Sequence, residues 1–334
     1  MTLEQFLTDW HSDSPTTEVR TSGSTGTPKT LTVEKERMIA SAMATCQFLQ
    51  LHKGDTALLC LSADHIAGKM MAVRSIVWGL SLQDIGATGH PMARIDKAPV
   101  FAAMVPMQVY NSLTVDDERR KLMQIRHLII GGGPVDERLE EQLRHFPNAV
   151  WSTYGMTETL SHIAMRRISG SEASLWYTPL DGVSVGTDDD GHLWIDAPHV
   201  CASRLLTNDI AVMHSDGRHF RIKGRADNVV CCGGIKMQME EIEAQLKPHL
   251  HMPFMITKCK DEKFGEIVCI IAECDDTDTV RDTCDRVLDK YRRPRLYIKT
   301  GSLPLTDNGK PARRAAQIMA EKAHGEGLYD IFRR

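Results

Sequence analysis

The sequence predicts an α/β protein of two domains, a large one over residues 1–226 and a small α+β one over 227–334. Three observations carry this. Apolar runs and helical periodicities alternate from residue 19 to about 155, the pattern of strands and crossover helices in a parallel sheet. Past residue 175 the texture changes to short strands between turn residues. The length, 334 residues, suits about two domains.

Residues 3–10 read as a lead-in helix, and 19–22 as the end of a short strand. The next stretch is Thr21-Ser22-Gly23-Ser24-Thr25-Gly26-Thr27-Pro28-Lys29, with two glycines, five hydroxyls and a lysine in nine residues. Such a loop offers N–H groups, hydroxyl donors and a cation to a polyphosphate. Gly23 and Gly26 let the backbone approach an anion with no Cβ in the way. The stretch departs from the P-loop at Pro28, which stands in place of the second glycine and has no N–H to donate. A flexible surface loop has the same composition.

Residues 34–50 carry Ile39, Met43, Cys46 and Leu49 at helical spacing. Residues 57–61 predict a buried strand that runs into Ser62-Ala63-Asp64-His65-Ile66-Ala67-Gly68, and 70–80 a helix. Residues 100–105 predict a strand and 106–113 a helix. The strand at 128–130 runs into Gly131-Gly132-Gly133-Pro134. The helix at 135–144 has Asp136, Glu137 and Glu140 near its N-terminus, where acids complement the dipole. Strand 149–152 leads to Tyr154-Gly155-Met156-Thr157-Glu158-Thr159. Ligands of parallel sheets gather at the carboxyl ends of strands. The 21–29, His65, glycine-triplet and Tyr154 loops all follow strand candidates, so four polar loops are expected to face one cleft.

Beyond residue 175, strands are expected at 191–195, 204–206, 210–213 and 220–222, with turns at Asp188-Asp189-Asp190-Gly191 and Ser215-Asp216-Gly217. Gly224-Arg225-Ala226-Asp227-Asn228 reads as a hinge. Helices at 239–247 and 279–289 and strands at 254–258, 266–272 and 296–300 make the second α/β segment, closed by Pro304-Leu305-Thr306-Asp307-Asn308-Gly309-Lys310.

Hydrophobic and charged contents of 42% and 25% are ordinary for a globular chain. A net charge of −4 gives no global electrostatic case for nucleic acid or a membrane as partner. Nine scattered cysteines without a C-x-x-C pair read as reduced thiols. No signal pattern and no apolar run of about 20 residues is present, so a cytoplasmic protein is expected, as monomer or homodimer.

Four stretches in this order (21–29, 154–159, 224–227 with Gly233-Gly234, and 304–310) resemble the adenylate-forming superfamily of acyl-CoA ligases, adenylation domains and luciferases. The resemblance implies a carboxylic acid as substrate, ATP, Mg²⁺, and CoA as co-substrate. The acid attacks the α-phosphate of ATP, and a thiol then displaces AMP from the acyl-adenylate. It also implies a mobile small domain hinged at Asp227.

Residue by residue, the resemblance gives Thr21, Ser22, Gly23, Ser24, Thr25, Gly26, Thr27 and Lys29 to ATP phosphates. Gly131, Gly132, Gly133 and Pro134 line adenine, and Tyr154 with Gly155 stacks on it. Thr157 is a phosphate ligand and Glu158 the Mg²⁺ ligand, a hard cation held by one carboxylate plus phosphates. Asp209 binds both ribose hydroxyls, Arg225 binds ribose or phosphate, Lys310 is the catalytic lysine, and Gly233-Gly234 line the thiol tunnel. The pattern departs at Asn208, usually glycine, and at Met239, usually proline. Only 20 residues precede the phosphate loop, so the first subdomain is expected to be missing or reduced.

A chain this short most resembles the compact o-succinylbenzoate–CoA ligases of menaquinone biosynthesis. His65-Ile66-Ala67-Gly68, with His65 among the catalytic candidates, resembles a segment of that branch. So do Arg74, nine residues on, and Ser161, three residues after Glu158. The second carboxylate of such an acid gives Arg74 a purpose. Arg74 on a helix surface beside an acid, and His65 as an ordinary loop histidine, are the alternatives. The basic clusters at Arg292, Arg293, Arg295, Arg313 and Arg314 fit a solvated face or the 3′-phosphate of CoA. The rival functions are ligation of another aryl or fatty acid, loading of a carrier protein, and a nucleotide-binding module without turnover. Glu158 and Lys310 argue against the last.

Overall fold

The computed structural model describes residues 2–20, 30–306 and 311–325. The chain forms two compact units. The first comprises Met1–Thr187, Trp194–Leu206 and Met213–Arg221, and the second Asp188–Leu193, Thr207–Val212 and Ile222–Arg334. The division thus falls at Ile222, and the second unit takes in two strand pieces that the sequence reading assigned to the first domain.

The first unit opens with α1 (Leu3–Trp10), whose N-terminus is a capping box: Thr2 Oγ1 accepts from Gln5 N–H at 3.2 Å and Gln5 Oε1 accepts from Thr2 N–H at 2.8 Å. Strands β1 (Thr16–Arg20) and β2 (Thr30–Glu34) pair antiparallel, Arg20 opposite Thr30, on either side of the 21–29 stretch. The unit continues with α2 (Lys35–Phe48), β3 (Thr56–Leu59), α3 (Ile66–Trp78), β4 (Ser81–Asp84) and β5 (Phe101–Met104). Then follow α4 (Pro106–Leu113), α5 (Asp116–Gln124), β6 (His127–Ile130), α6 (Glu137–Arg144), β7 (Ala149–Gly155), β8 (His162–Arg167) and β9 (Thr178–Pro179).

Strands β3 to β9 form one seven-stranded sheet in the order β4-β3-β5-β6-β7-β8-β9. The first five run parallel, while β8 and β9 are antiparallel additions that the sequence reading did not contain. Side chains alternate between two cores, as the period of a strand requires. Leu58, Ala102, Met104, Leu128 and Ile130 meet α4, α5 and α6 through Val109, Leu122, Leu139 and Leu143. Ala57, Leu59, Phe101, Ala103 and Ile129 meet α2 and α3 through Cys46 and Met71.

Residues 184–225 form β10 (Ser184–Thr187), β11 (His192–Asp196), β12 (Leu205–Met213) and β13 (Phe220–Arg225), and the boundary between the units runs through them. The two strands expected at 204–206 and 210–213 are one, because Thr207-Asn208-Asp209 is extended.

The second unit holds β14 (Val229–Cys232), β15 (Ile235–Gln238), α7 (Met239–Leu246), β16 (Phe254–Asp261), β17 (Gly265–Glu273), α8 (Asp278–Val287), β18 (Leu296–Thr300) and α9 (Arg313–Gly325). Its sheet runs β15-β14-β17-β16, with β18 parallel to β17. Val230, Ile256, Ile267, Val268 and Ile270 pack on Ile242, Leu246, Val280 and Ala320 of the helices. Arg313 is neither a solvated face nor an open CoA contact. It donates two parallel bonds to the Glu243 carboxylate at 2.6 and 2.7 Å and a third to Ile256 O at 2.6 Å. Arg293 donates to Leu288 O and Asp285 O, closing the end of α8, and Arg295 lies 4.0 Å over the Phe264 ring. Among the described residues no helix is long and apolar enough to cross a membrane.

Candidate active site

In the first unit the carboxyl ends of β3, β6 and β7 carry the loops singled out by sequence. After β3, Ser62–His65 turns tightly into α3. A Cβ on Gly68 would stand 2.2 Å from Ser62 O, so only glycine lets the loop lie on the first helical turn. His65 is exposed at the N-terminus of α3. After β6, Gly131 N–H donates to Met104 O at 3.0 Å. A Cβ on Gly131 would meet Thr153 Oγ1 at 2.5 Å, which presses the glycine triplet against β7 one residue before Tyr154.

Tyr154 and Gly155 belong to β7; the strand runs three residues past the end expected at 152. The Tyr154 ring stands edge-on to Phe220, with centroids 5.3 Å apart, and is tilted against Tyr177 at 5.9 Å. Tyr177 is stacked with Phe220 and its hydroxyl lies 2.9 Å from Ser152 Oγ. These rings fix one side of Tyr154.

The chain then reverses. Thr157–Thr159 is a single 3₁₀ turn and Leu160 has φ 62° and ψ −33°. Ser161 N–H donates to Thr159 O at 2.7 Å, which makes Leu160 the centre of a γ-turn with positive φ, a rare and strained conformation. The buried Thr159 hydroxyl holds the turn through Met156 and Ser161 O. This reversal lays Ser161 and His162 across Gly155, whose Cβ would be 2.2 Å from Ser161 O. Glu158 stands exposed on the turn, and among the described residues nothing bonds to its carboxylate. An open carboxylate beside the Thr157 hydroxyl suits a hard cation that keeps most of its water and phosphate ligands.

Arg74, on α3, is 2% exposed. Its Nη2 donates to Ser161 Oγ at 2.6 Å, its Nη1 meets only Met71 Sδ at 3.8 Å, and its Nε has no partner among the described residues. No described carboxylate pairs with it. Burial without a counter-charge pulls the guanidinium down to about 10. The surface ion pair considered from the sequence is therefore not what forms; Arg74 is a buried cation with donors to spare.

His162 and Thr45, which the sequence reading passed over, complete this cluster. Thr45 Oγ1 lies 3.0 Å from His162 Nε2, and Ser161 Oγ 3.3 Å from His162 Nδ1. Burial first, and the Arg74 charge second, hold His162 well below the usual imidazole range. Burial pushes the neighbouring Cys46 thiol up to about 11. The available signal was two polar residues, Ser161 and His162, opening a strand whose next residues, Ile163–Met165, are buried apolar.

In the second unit, Arg225 donates to Asp209 Oδ1 at 3.3 Å and Asp227 Oδ2 at 3.1 Å, and Asn208 donates to Asp227 Oδ2 at 3.3 Å. Asp209, Arg225 and Asp227 are thus one cluster. Gln238 Nε2 donates to Arg225 O at 2.7 Å, and Asn228 Nδ2 donates to Glu240 Oε1, tying 224–228 to the start of α7. A Cβ on Gly224 would stand 2.4 Å from Gln238 Nε2, so this glycine serves close packing. Gly233 and Gly234, at φ 58° and 84°, are the two-residue turn between β14 and β15, which requires positive φ twice. The stretch Thr21–Lys29 and Lys310 lie outside the described residues.

Elsewhere in the first unit, His214 and His219 Nδ1 converge on Asp216 Oδ2 at 3.0 and 2.5 Å, while Asp216 Oδ1 accepts from the N–H groups of Arg218 and His219. These three side chains are the group within metal-ligating distance among the described residues. Both carboxylate oxygens already staple the turn.

A parallel sheet ending in a glycine triplet, a tyrosine strand and an acidic turn, with a separate small α+β unit, defines the fold of an adenylate-forming enzyme. The family model described as "AMP-binding enzyme" matches residues 7–192, more than half the chain. The chain belongs to this family and is an AMP-forming acid–thiol ligase by class.

Among curated proteins, a 2-succinylbenzoate–CoA ligase from Geobacillus sp. (strain WCH70) is 25% identical over 357 residues, covering 96% of this chain and 72% of the relative. The protein of the same name from Bacillus subtilis (strain 168) is 23% identical, covering 90% and 68%. Among solved structures, an acyl-CoA synthetase (AMP-forming)/AMP-acid ligase II-like protein from Dyadobacter fermentans DSM 18053 superposes with TM-score 0.65 at 30% identity, covering 93% of this chain and 91% of that one. The o-succinylbenzoate coenzyme A synthetase from Bacillus subtilis, in complex with ATP and magnesium ion, has TM-score 0.73 at 21% identity, with 89% and 68% covered.

Proposed function

We propose that this enzyme joins o-succinylbenzoate to CoA at the expense of ATP, releasing AMP and pyrophosphate through an acyl-adenylate, the step that serves menaquinone biosynthesis. The observation that carries the substrate is Arg74. A buried guanidinium with no acid partner and an open Nε among the described residues is costly to fold unless an anion completes it. A monocarboxylic acid has one carboxylate, and it is consumed by adenylation. A dicarboxylate brings a second for Arg74, held in place by Ser161, to bind by charge-assisted bonds. The naming of curated relatives as 2-succinylbenzoate–CoA ligases supports the same acid.

In this reading Tyr154 and the segment 131–134 hold adenine, Asp209 holds the ribose hydroxyls, and Arg225 holds ribose or phosphate. Thr21–Lys29 binds the phosphates, and Lys310 neutralises charge where the acid meets the α-phosphate. Mg²⁺, held through Glu158 and the phosphates, would screen the polyanion that the carboxylate approaches. Thr157 orients phosphate, and His65 borders the acyl pocket from the N-terminus of α3. Gly233-Gly234 line the path of the CoA thiol, and Asp227 is the pivot of the small unit.

The test is one incubation with ATP, Mg²⁺, CoA and o-succinylbenzoate, followed by mass spectrometry. AMP together with o-succinylbenzoyl-CoA is expected. AMP release with benzoate or a fatty acid, and none with the dicarboxylate, would overturn the substrate.

A further inference from the structure

We propose that His162 is a positioning residue: as the Nε2–H tautomer it fixes the direction of every hydrogen bond between Arg74 and α2, takes up the Ser161 proton, and so leaves the substrate carboxylate to the free donors of Arg74. The inference rests on the reading of Arg74 as the carboxylate seat. It concerns a residue that touches no substrate.

The directions follow from one fixed end. Ser41 O is a carbonyl and only accepts. Thr45 Oγ1, 3.1 Å away, spends its single proton there, a common bond back to the previous helical turn. The only bond Thr45 Oγ1 can then make to His162 Nε2, at 3.0 Å, is as acceptor. His162 Nε2 therefore carries the proton. In a neutral imidazole the other nitrogen is then a bare acceptor. Ser161 Oγ, 3.3 Å from Nδ1, donates to it. With its proton so placed, Ser161 presents a lone pair to Arg74 Nη2 at 2.6 Å. Four bonds run in one direction and close without a clash of donors.

The alternative states break the chain. With the proton on Nδ1, Nε2 would face the Thr45 oxygen without a donor, and Ser161 would accept from both Nδ1 and Arg74 with its own proton left free. The imidazolium would put a second cation beside Arg74 with no described carboxylate between them. The charged or titratable groups facing His162 are Arg74 on α3 and, next to Arg74, Cys46 on α2. A Ser161 whose proton is committed cannot donate to the substrate, so the acid must be held by the free donors of Arg74, its Nε and Nη1. His162 thereby decides which groups meet the carboxylate.

Two measurements test this. ¹⁵N NMR of the imidazole rings in the substrate-free enzyme should show His162 with a protonated Nε2 and a bare Nδ1 at neutral pH, unchanged on acidification to about pH 5. A protonated Nδ1, or an imidazolium, would overturn the proposal. This reading needs no substrate, so failure of the o-succinylbenzoate assignment leaves it decisive.

The second measurement compares two amides, with whichever acid releases AMP. In His162→Asn the amide oxygen takes the place of Nδ1 and still accepts from Ser161. In His162→Gln the amide nitrogen takes the place of Nε2 and only the Thr45 bond survives. The Asn enzyme should keep KM for the acid within about threefold, and the Gln enzyme should raise it roughly tenfold, with KM for ATP unchanged in both. Equal rises in the two variants would mean that His162 only fills space.

Discussion

Arg74 is where stability and function pull in opposite directions. Its guanidinium is buried, carries no ion pair among the described residues, and leaves Nε unsatisfied. Breaking a buried pair is costly because a lone charge remains; here the lone charge is present from the start. Arg74→Met removes the charge and keeps most of the volume. We expect Arg74→Met to raise Tm by about 3 °C or more in the absence of substrate, as replacing an uncompensated buried ion by an apolar isostere stabilises other proteins. The same variant should raise KM for o-succinylbenzoate roughly tenfold or more, since a charge-assisted bond is lost. Calorimetry and initial rates on one preparation check both. A lower Tm would mean that the fold itself supplies a counter-charge to Arg74.

At the scale of elements, the site depends on chain crossings that admit no Cβ. Gly155 passes under Ser161 O and His162 Cα, and Gly68 passes under Ser62 O, with virtual Cβ contacts of 2.2 to 2.4 Å to backbone atoms that have nowhere to retreat. Gly155→Ala and Gly68→Ala should each cost about 2–4 kcal/mol in urea unfolding, and Gly155→Ala should also displace Ser161 from Arg74. Gly301, with nothing within 4 Å of its virtual Cβ, is the matched control and should tolerate alanine within about 0.5 kcal/mol. Equal costs at 155 and 301 would remove the crossing as the reason for glycine. None of this was legible in the sequence, where Gly155 looked like part of a loop. The γ-turn at Leu160 was hidden for the same reason: nothing local favours positive φ at a leucine, and only the buried Thr159 hydroxyl and the return of β8 impose it. The strands and helices with apolar periodicity, such as β5, α4 and β18, could be read directly. The edge strand β4 and the charged helix α5 bury too few apolar side chains to show a period.

For the whole molecule, the sequence carried the motifs further than it carried their surroundings. It assigned Arg74 and Ser161, 87 residues apart, separately to the acyl substrate by resemblance, and their hydrogen bond to each other is a finding of the structure. It could not show that Ser161 rests on a buried histidine, because burial is a property of the assembled sheet and not of the local pattern. That property makes a prediction for the molecule as a whole. His127 lies on β6 with a buried Nδ1 that has no partner among the described residues. Burial first, then the charges of Arg126 and Arg167, lower it from 6.5 to about 4, against a small opposing pull from Asp55. His162 is shifted in the same direction. Both bind a proton more readily in the unfolded chain, so unfolding takes up protons and stability rises with pH across the interval where the two states differ. The stability that His127 contributes is complete above about 6.5 and is lost progressively as pH falls toward about 4. Asp216 adds to the acid side: its carboxyl is held below 3.8 chiefly by the N–H groups of His219 and Arg218, so its contribution is lost only at still lower pH. Tm should therefore fall by about 5 °C or more between pH 6.5 and 4, and His127→Gln should make that fall shallower while leaving the slope below pH 3.8 unchanged. A wild-type Tm that stays flat from 6.5 to 4 would mean that neither histidine is held neutral by the fold, and it would remove the electrostatic support for the tautomer assigned to His162.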